Sequence, residues 1–531
     1  SIKSDLNIPS KSTGLLNLFK VLNSLYISSG MNVLSRCILL VCMVTSSLYA
    51  QDSHYWTQQF GTRSALLGGA VLGGAEDNTM IYYNPGALGL LDESSISINA
   101  NAYRVENIKV ENALGNEEDF QSGQLGSVPL LAGGMIRTGS EKWKVGYAFI
   151  APVDFKFKGV ARVDGNYDLV EDSESPGLEE TVGEASLNNK TSELIVAMGI
   201  GHRINENWSV GLSNLFTVRS LNYQSSLSTY IFLNQGEAPL IGTNILQNAD
   251  YYNVRYAAKL GVVYQKDKWD VGLTLTTPSL NLFGQGSVAS NIAVRNLKLI
   301  DEERISGVAT ARQAELKTKF KSPFSVALGT NYSFGRSHLG VAVQYFASTD
   351  IYDVMEPAPG SFVRPIDLAP QFQSDEFLSL QAAAESVFNI AVGYEYEVSE
   401  SLSILGGFRT DMSYYNEDLN EVAGIKPTIS NWDIYHFTGG VTFNRKNSSL
   451  SLGLLLSGGT NDSYEQTGSF DPENPDLVAG STTITKATYS SFGLLLGYTF
   501  YFKKFNLNQN QSEEKKETTP TAFLSTLTKR K

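Results

Sequence analysis

The chain is poor in the residues that most often carry redox, nucleophilic and metal chemistry. It has 531 residues but two cysteines, Cys37 and Cys42, and both fall in a segment typical of a removable secretory signal. Removal of that segment leaves no thiol, which excludes disulfides, cysteine metal ligands and cysteine nucleophiles. The histidines form no metal or nucleophile motif, so we expect no catalytic residue, metal site or cofactor, and no enzyme. These histidines are His54, His202, His338 and His436.

Positive charge is also in short supply. The 41 Lys and Arg residues are outnumbered by 54 Asp and Glu residues, so the formal net charge is -13. Because binding to nucleic acid needs a basic surface, this balance argues against a nucleic-acid partner. Much of the acid lies in connectors such as "DLVEDSESPGLEE", residues 168–180, which we predict to be solvated loops.

The apolar run near the N-terminus, Ile38 to Val44, is too short to cross a bilayer as a helix. It follows Arg36 and precedes the small residue Ala50, which is the order of a signal peptide and its cleavage site. We therefore interpret residues 31–50 as a signal peptide and residues 1–30 as an upstream extension that is not in the mature protein.

Glycine and aromatic residues are abundant, with 47 Gly, 26 Tyr and 26 Phe. Such residues suit strands, aromatic girdles and tight turns. Three segments, "WKVGYAF" from Trp143, "WSVGLSN" from Trp208 and "WDVGLTL" from Trp269, each follow a short polar turn. In the third, apolar side chains alternate with Asp, Gly and Thr, which predicts a strand with one wholly apolar face.

Connector lengths decide between a soluble β protein and a membrane barrel. Six short turns alternate with seven connectors of roughly 20–40 residues, which are near the sizes of the extracellular loops of barrels. This alternation predicts an all-β fold, a transmembrane antiparallel β-barrel of about 14 strands in the outer membrane. The predicted strand starts are Ser94, Ser127, Trp143, Thr191, Trp208, Tyr251, Trp269, Lys321, Ser337, Val387, Leu402, Tyr435, Leu450 and Thr488.

The segment before the first strand does not fit as barrel wall. Residues 51–92 are rich in small side chains, including Gly73 and Gly74, which allow close packing, and Asn84-Pro85 predicts a turn. No Gly-Lys-Ser/Thr follows the glycine run, so we do not expect it to bind a nucleotide. We predict an N-terminal hatch in the lumen at residues 51–92, a barrel at 93–502 and a flexible periplasmic C-terminal tail at 503–531.

The run "GTRSALLGGAVLGGAEDNTMIYYNPGALGLL", with the following "SVPLLAGGMIRTGSEKWKVGYAFIAPVDF", resembles the FadL/TodX family of outer-membrane transporters of hydrophobic compounds. That family commonly has alanine directly after Asn-Pro, where this chain has Gly86 before Ala87. The resemblance covers essentially the whole mature chain. It implies a plugged barrel, unlike a general porin, which needs an open polar lumen without a hatch. It also implies passive uptake of long-chain fatty acids or other apolar molecules by a monomer in outer-membrane lipid.

One alternative to uptake is open for a barrel of this kind, a role that involves a protein partner. Some FadL-like barrels serve in protein secretion or surface attachment, and the sequence separates that role poorly from uptake. An exposed apolar patch marks a binding surface, and the third long connector, "STYIFLNQGEAPLIGTNIL", offers one unless its apolar residues pack together.

Strand parity directs four cations into the lumen, where they are candidate ligand-binding residues: Arg219, Arg255, Lys259 and Arg409. An inward cation can clamp a carboxylate head group while apolar hatch residues hold the tail. The alternative is a set of salt bridges, because carboxylates also point inward by parity. Relatives with known fatty-acid sites tend to have an arginine where this chain has Leu405, so fatty acid and neutral hydrocarbon both stay open as ligands.

The third strand contains Pro152, which interrupts an otherwise continuous membrane strand. Proline donates no backbone hydrogen bond, so in a closed barrel we expect a bulge or kink there. In the resembled family a kink in the third strand accompanies a gap through which ligand leaves sideways, which implies a lateral gate at Ala151 and Pro152. The alternative is that Pro152 ends the strand at the outer rim.

Overall fold

A computed structural model describes most of the chain after the predicted signal peptide. The predicted upstream extension, signal peptide and C-terminal tail lie outside the described residues. The described residues are 53–74, 77–91, 94–115, 117–136, 138, 140, 142–235, 240–298, 304–360, 363–364, 377–421, 424–427, 429–469 and 481–502.

Antiparallel strands dominate the described residues. The strands are β1 Ser94–Val110, β2 Phe120–Ile136, β3 Trp143–Tyr167, β4 Glu179–Arg203, β5 Trp208–Phe232, β6 Leu240–Lys266, β7 Trp269–Thr276, β8 Leu280–Lys298, β9 Arg304–Lys317, β10 Ser325–Phe334, β11 Ser337–Phe346, β12 Thr349–Met355, β13 Val363–Arg364, β14 Leu380–Ala384, β15 Val387–Ser399, β16 Leu402–Asp411, β17 Asp433–Arg445, β18 Ser448–Ser469 and β19 Ser481–Phe502.

The wall closes on itself, because β1 pairs with β19 as well as with β2. Three pairs of strands, β7 with β8, β9 with β10 and β11 with β13, each occupy one position in the wall. Counted in this way, the 17-stranded sheet of the described residues is a closed barrel of 14 antiparallel strands. The predicted fold class and strand number are confirmed. Strands β12 and β14 form a separate two-stranded sheet.

Five strands that follow a short turn begin where the sequence predicts, at Trp143, Trp208, Trp269, Ser337 and Leu402, and the sixth begins at Ser448, two residues before the predicted Leu450. Several strands that return from a long connector begin earlier than predicted, although β15 begins at the predicted Val387. The starts predicted at Ser127, Thr191, Tyr251 and Thr488 lie inside strands that begin at Phe120, Glu179, Leu240 and Ser481. The reason is that much of each long connector continues the ladder beyond the length that a bilayer requires.

This extension corrects the expected apolar loop in the third long connector. Tyr230 and Phe232 belong to the end of β5, and Ile241 belongs to the start of β6. Ile231 faces Ile241 in the ladder, and both side chains are buried. Among the described residues of this connector, Ile231 and Ile241 therefore pack within a hairpin, whereas Phe232 is about half exposed.

The outer face of the wall is apolar and exposed. On β7, Leu273 and Leu275 are exposed whereas Thr274 is buried, which is the alternation expected of a strand between lipid and lumen. Trp143, Trp208 and Trp269 lie beside the short turns and are about half exposed. Their position is that of an aromatic girdle at the short-turn end of the barrel.

The segment before β1 lies against the inner face of the wall. It contains a helix α1, Met80–Tyr83, and a 3-10 helix, Pro85–Leu90. Its buried apolar side chains form one cluster with inward residues of the wall. Among the described residues no helix is long and apolar enough to cross a bilayer.

A second apolar cluster fills the barrel toward the long-connector end. It joins buried residues of the extended strands to residues of the connectors around 377–380 and 425–434, including Leu378 and Trp432. The interior is therefore packed both at the level of the N-terminal segment and at the long-connector end. A cavity lies between the elements of these two packed regions.

Candidate functional site

The cavity encloses about 170 Å³ and is bounded by wall strands and the N-terminal segment. The N-terminal segment contributes Ser53, His54, Tyr55 and Tyr82. Apolar and aromatic side chains make up much of the remaining lining, and four cations lie among them: Arg219, Arg255, Lys259 and Lys321. The other lining residues that the site depends on are Pro152, Val153, Glu193, Ile195, Leu215, Arg219, Arg255, Lys259, Phe320, Ser322 and Tyr352.

An ion cluster forms the polar part of the cavity. Arg219 Nη1 donates to Glu193 Oε1 at 2.7 Å, and Arg255 Nη2 donates to the same oxygen at 2.8 Å. Tyr251 and Ser322 accept from the Nε atoms of Arg219 and Arg255, respectively. All three charged side chains are nearly inaccessible to solvent. One carboxylate thus serves two guanidinium groups, and the cluster keeps an excess of positive charge.

The two arginines retain capacity to donate hydrogen bonds. Arg219 Nη2 and Arg255 Nη1 are buried and have no hydrogen-bond partner among the described residues. The ring of Phe320 covers both groups, with its centroid 4.0 Å from Arg219 Cζ and 5.1 Å from Arg255 Cζ. A cation over an aromatic face is attracted to the ring, so Phe320 partly replaces the missing polar partners.

Lys259 joins the cavity to the N-terminal segment. Its Nζ donates to the main-chain carbonyl of Tyr82 at 2.6 Å and lies 4.4 Å from the centroid of the Tyr82 ring. One surface of the cavity is therefore fixed by the segment before β1.

Arg409 does not follow the expectation that Arg255, Lys259 and Arg409 line one cavity. Its side chain points inward, as parity predicts, but it does not line the cavity. Arg409 Nε and Nη2 donate at 2.9 Å to the main-chain carbonyls of Trp56 and Thr57. The side chain of Asp411 accepts from Trp56 N at 2.8 Å. Arg409 thus anchors the N-terminal segment instead of facing the cavity.

The expected hatch residues hold the N-terminal segment against the wall. Asn84 Nδ2 donates to the carbonyls of Leu72 and Val262, and Asn84 Oδ1 accepts from Gly86 N at the start of the 3-10 helix. Pro85 is the first residue of that helix, where its missing N–H costs nothing. Gly74 N donates to the Val71 carbonyl, and a Cβ at Gly73 would lie 2.7 Å from the carbonyl oxygen of Asp270.

The wall is irregular beside the cavity at the expected position on β3. The ladder between β3 and β4 shifts register between Ile150 and Val153, so Ala151 and Pro152 form a bulge. On the other side, the ladder between β2 and β3 ends at Leu131 and Ile150. Strand β3 then continues to Tyr167, so the alternative that Pro152 ends the strand is wrong. Backbone pairing with β2 is therefore missing where Pro152 lines the cavity.

Two residues of the site had no signal in the sequence. Glu193 lies two residues after the strand start predicted at Thr191, but its pairing with two arginines depends on strands that meet only in the barrel. Phe320 belongs to no described strand, so parity gave it no direction. Among the described residues no group of three or more His, Cys, Asp or Glu is arranged to hold a metal ion.

No protein-family model and no curated protein matches the chain. It is similar to the toluene transporter TbuX of Ralstonia pickettii, with 15% identity, 84% of this chain and 99% of that chain covered, and a TM-score of 0.47. A FadL homologue of Pseudomonas aeruginosa shares 14% identity over 86% of this chain and 100% of its own, with a TM-score of 0.49. The toluene transporter TodX of P. putida shares 13% identity over 84% of this chain and 100% of its own, with a TM-score of 0.49.

Proposed function

We propose that this protein is an outer-membrane channel of the FadL/TodX type, which takes up hydrophobic small molecules passively. The observation that carries the proposal is the cavity between the N-terminal segment and the bulge of β3. It has an apolar lining with a few convergent polar groups, which is the usual character of a small-molecule site. Its volume, about 170 Å³, is near that of an apolar protein cavity of about 150 Å³ that binds benzene.

In this proposal the N-terminal segment acts as a hatch. Residues 51–92 plug the lumen, residues 93–502 form the wall, and residues 503–531 stay in the periplasm after a signal peptide at 31–50 has directed export. The buried contacts of Asn84, Lys259 and Arg409 with the segment support this division. The described residues pack the lumen on both sides of the cavity, which supports exclusion of polar solutes and uptake driven by the concentration gradient alone.

The ligand leaves sideways through the wall at Ala151 and Pro152. The bulge in β3 and the end of its ladder with β2 support this route, because a bilayer-facing opening requires missing backbone pairs. A hydrophobic ligand that enters the bilayer directly never has to cross water.

The cations of the cavity favour a ligand with an acceptor group. Arg219 Nη2 and Arg255 Nη1 have no described partner and can donate to a carboxylate, whereas the apolar lining also suits a neutral hydrocarbon. Arg219, Arg255 and Lys259 are the proposed ligand-contact residues. We propose no catalytic role for any residue, no metal and no cofactor, and a monomer in outer-membrane lipid.

The test is mass spectrometry of molecules that copurify with the protein, combined with uptake of a labelled fatty acid and labelled toluene by cells that express it. We expect an apolar molecule to copurify and at least one probe to be taken up faster than by cells without the protein. The competing role is secretion or surface attachment of a protein. Copurification of a secreted protein, with no apolar molecule and no uptake, would establish that role instead.

A further inference from the structure

The wall has a second interruption, which is separated from β3 by β4, β5 and β6. The ladder between β7 and β10 ends at Thr276 and Ser325, and the ladder between β8 and β9 begins only at Gln285 and Lys317. Residues 277–284 and 318–324 face each other in between. The strand containing β7 and β8 stays attached to β6, so the interruption opens on one side only.

Proline again marks the interruption. Pro278 and Pro323 lie in the two facing segments, and neither can donate a hydrogen bond to a ladder. Pro278 follows the girdle residue Trp269 by nine residues, which is also the separation of Pro152 from Trp143. The two interruptions therefore lie at about the same height in the wall.

A few bonds, half of them through side chains, bridge this interruption. Ser322 N donates to Ser279 Oγ at 2.8 Å, and Phe320 N donates to Asn281 Oδ1 at 2.7 Å. Two backbone bonds remain, from Ser279 N to the Ser322 carbonyl at 3.0 Å and from Thr318 N to the Gly284 carbonyl at 3.3 Å. Such a seam needs fewer backbone bonds to be broken than a regular ladder of the same length.

The cavity reaches the inner side of this seam, and the lining there is polar. Arg255 Nε donates to Ser322 Oγ at 2.7 Å, and Phe320 places its ring over the arginines. Lys321 also lines the cavity and is exposed, with Nζ 4.4 Å from the centroid of the Tyr352 ring. By contrast, Pro152 and Val153 at the β3 opening are uncharged, and the charged residue that faces Val153 in the ladder is an acid, Glu193.

The outer side of the seam is apolar. Leu280, Leu282 and Phe283 are each at least half exposed. A register shift in the ladder of β6 and β8 lies beside them, between Val254 and Arg255. The seam therefore has polar and cationic residues on its inner side and exposed apolar residues on its outer side. This arrangement suits an amphiphile, whose tail enters lipid while its head group stays near the cations.

We propose that this seam is a second lateral opening, through which amphiphiles with an anionic head group leave the cavity for the bilayer. The Phe320 ring covers the guanidinium groups of Arg219 and Arg255, so it has to rotate away from them before a head group can pass. The head group moves from Arg255 to Lys321, whose long side chain reaches the membrane surface. Neutral hydrocarbons have no head group that needs polar contacts, and they use the opening at Ala151 and Pro152. This inference rests on the proposed function.

Engineered disulfides test the proposal cleanly, because both natural cysteines lie in the predicted signal peptide. The double variant Ser279→Cys/Ser322→Cys closes the seam when oxidised and releases it when reduced. The control Leu273→Cys/Leu328→Cys joins a facing pair in the intact ladder of β7 and β10. Each protein is reconstituted in phospholipid vesicles, and the transfer of bound oleate and bound toluene to the bilayer is timed in both redox states.

We expect oxidation of the seam variant to slow oleate transfer several-fold, with recovery on reduction and little change for toluene. The control pair should show no redox effect on either probe. Phe320→Ala should speed oleate transfer and leave toluene unchanged. The proposal is overturned if oxidation leaves oleate transfer unchanged or slows both probes equally. If the unmodified protein binds neither probe, it is the proposed function that fails.

Discussion

Gly211 of β5 lies directly against the main chain of Pro85, so that a Cβ at position 211 would overlap the Pro85 carbonyl. The same relationship recurs around the barrel. Inward glycines on several strands face the backbone of the N-terminal segment, and a Cβ at any of them would meet that backbone. Besides Gly211 these are Gly201, Gly261, Gly272, Gly340, Gly393 and Gly407. A ring of inward glycines therefore lets the main chain of the N-terminal segment pack directly against the wall.

The first prediction follows from this close approach. Gly211→Ala should lower the free energy of unfolding by about 1–3 kcal/mol, because the added methyl group displaces a main chain that is held at many other points. Urea titration of the folded protein in vesicles measures the change. Gly439→Ala is the matched control, since Gly439 is exposed and a Cβ there would have nothing within 4 Å. Similar losses of unfolding free energy for both variants would contradict the proposed close packing of the segment against the inward glycines.

Arg409→Ala should loosen the N-terminal segment without selecting between ligands. The change removes the donor to two buried carbonyls, those of Trp56 and Thr57, at a cost of about 1–3 kcal/mol for each group left unsatisfied. We expect faster proteolysis within residues 53–74 and an equal loss of affinity for oleate and toluene. Arg336→Ala, at an exposed turn, serves as control. A loss confined to oleate would return Arg409 to the ligand site.

Glu193→Gln should strengthen the binding of a carboxylate ligand. The acid partly neutralises Arg219 and Arg255, and its removal frees a charge-assisted donor worth about 1.5–3 kcal/mol, or roughly tenfold or more in affinity. Calorimetric titration with oleate measures this gain, and toluene affinity should hardly change. Glu184→Gln, which changes a half-exposed acid on the same strand, should leave both affinities unaltered. Weaker oleate binding in the Glu193 variant would mean that the acid only positions the arginines.

Ala151→Trp should slow transfer of toluene to the bilayer and leave its affinity unchanged. A bulky side chain at the bulge fills the space left by the missing ladder between β2 and β3. The comparison is with Phe149→Trp, an outward position whose neighbours remain paired. Normal transfer by the Ala151 variant would rule out an exit at β3.

The barrel itself was predictable because its pattern is local. Alternation with period two determines which face of a strand is apolar, and short polar turns determine where the strand begins, as at Trp143, Trp208 and Trp269. The same alternation directed Arg219, Arg255, Lys259 and Arg409 into the lumen. It did not locate the far ends of the strands, since ladders beyond the bilayer no longer need a lipid-facing apolar side.

The cavity was decided by tertiary structure. Direction into the lumen is a property of one strand, but the partner of each cation depends on which strands and which part of the N-terminal segment reach the same height. In the folded chain Glu193 accepts hydrogen bonds from Arg219 and Arg255. Arg409 instead donates to the main-chain carbonyls of Trp56 and Thr57. The sequence alone determined a closed wall with inward charge. Which of those charges line the cavity was settled by contacts between residues tens to hundreds of positions apart, and no local pattern carries that information.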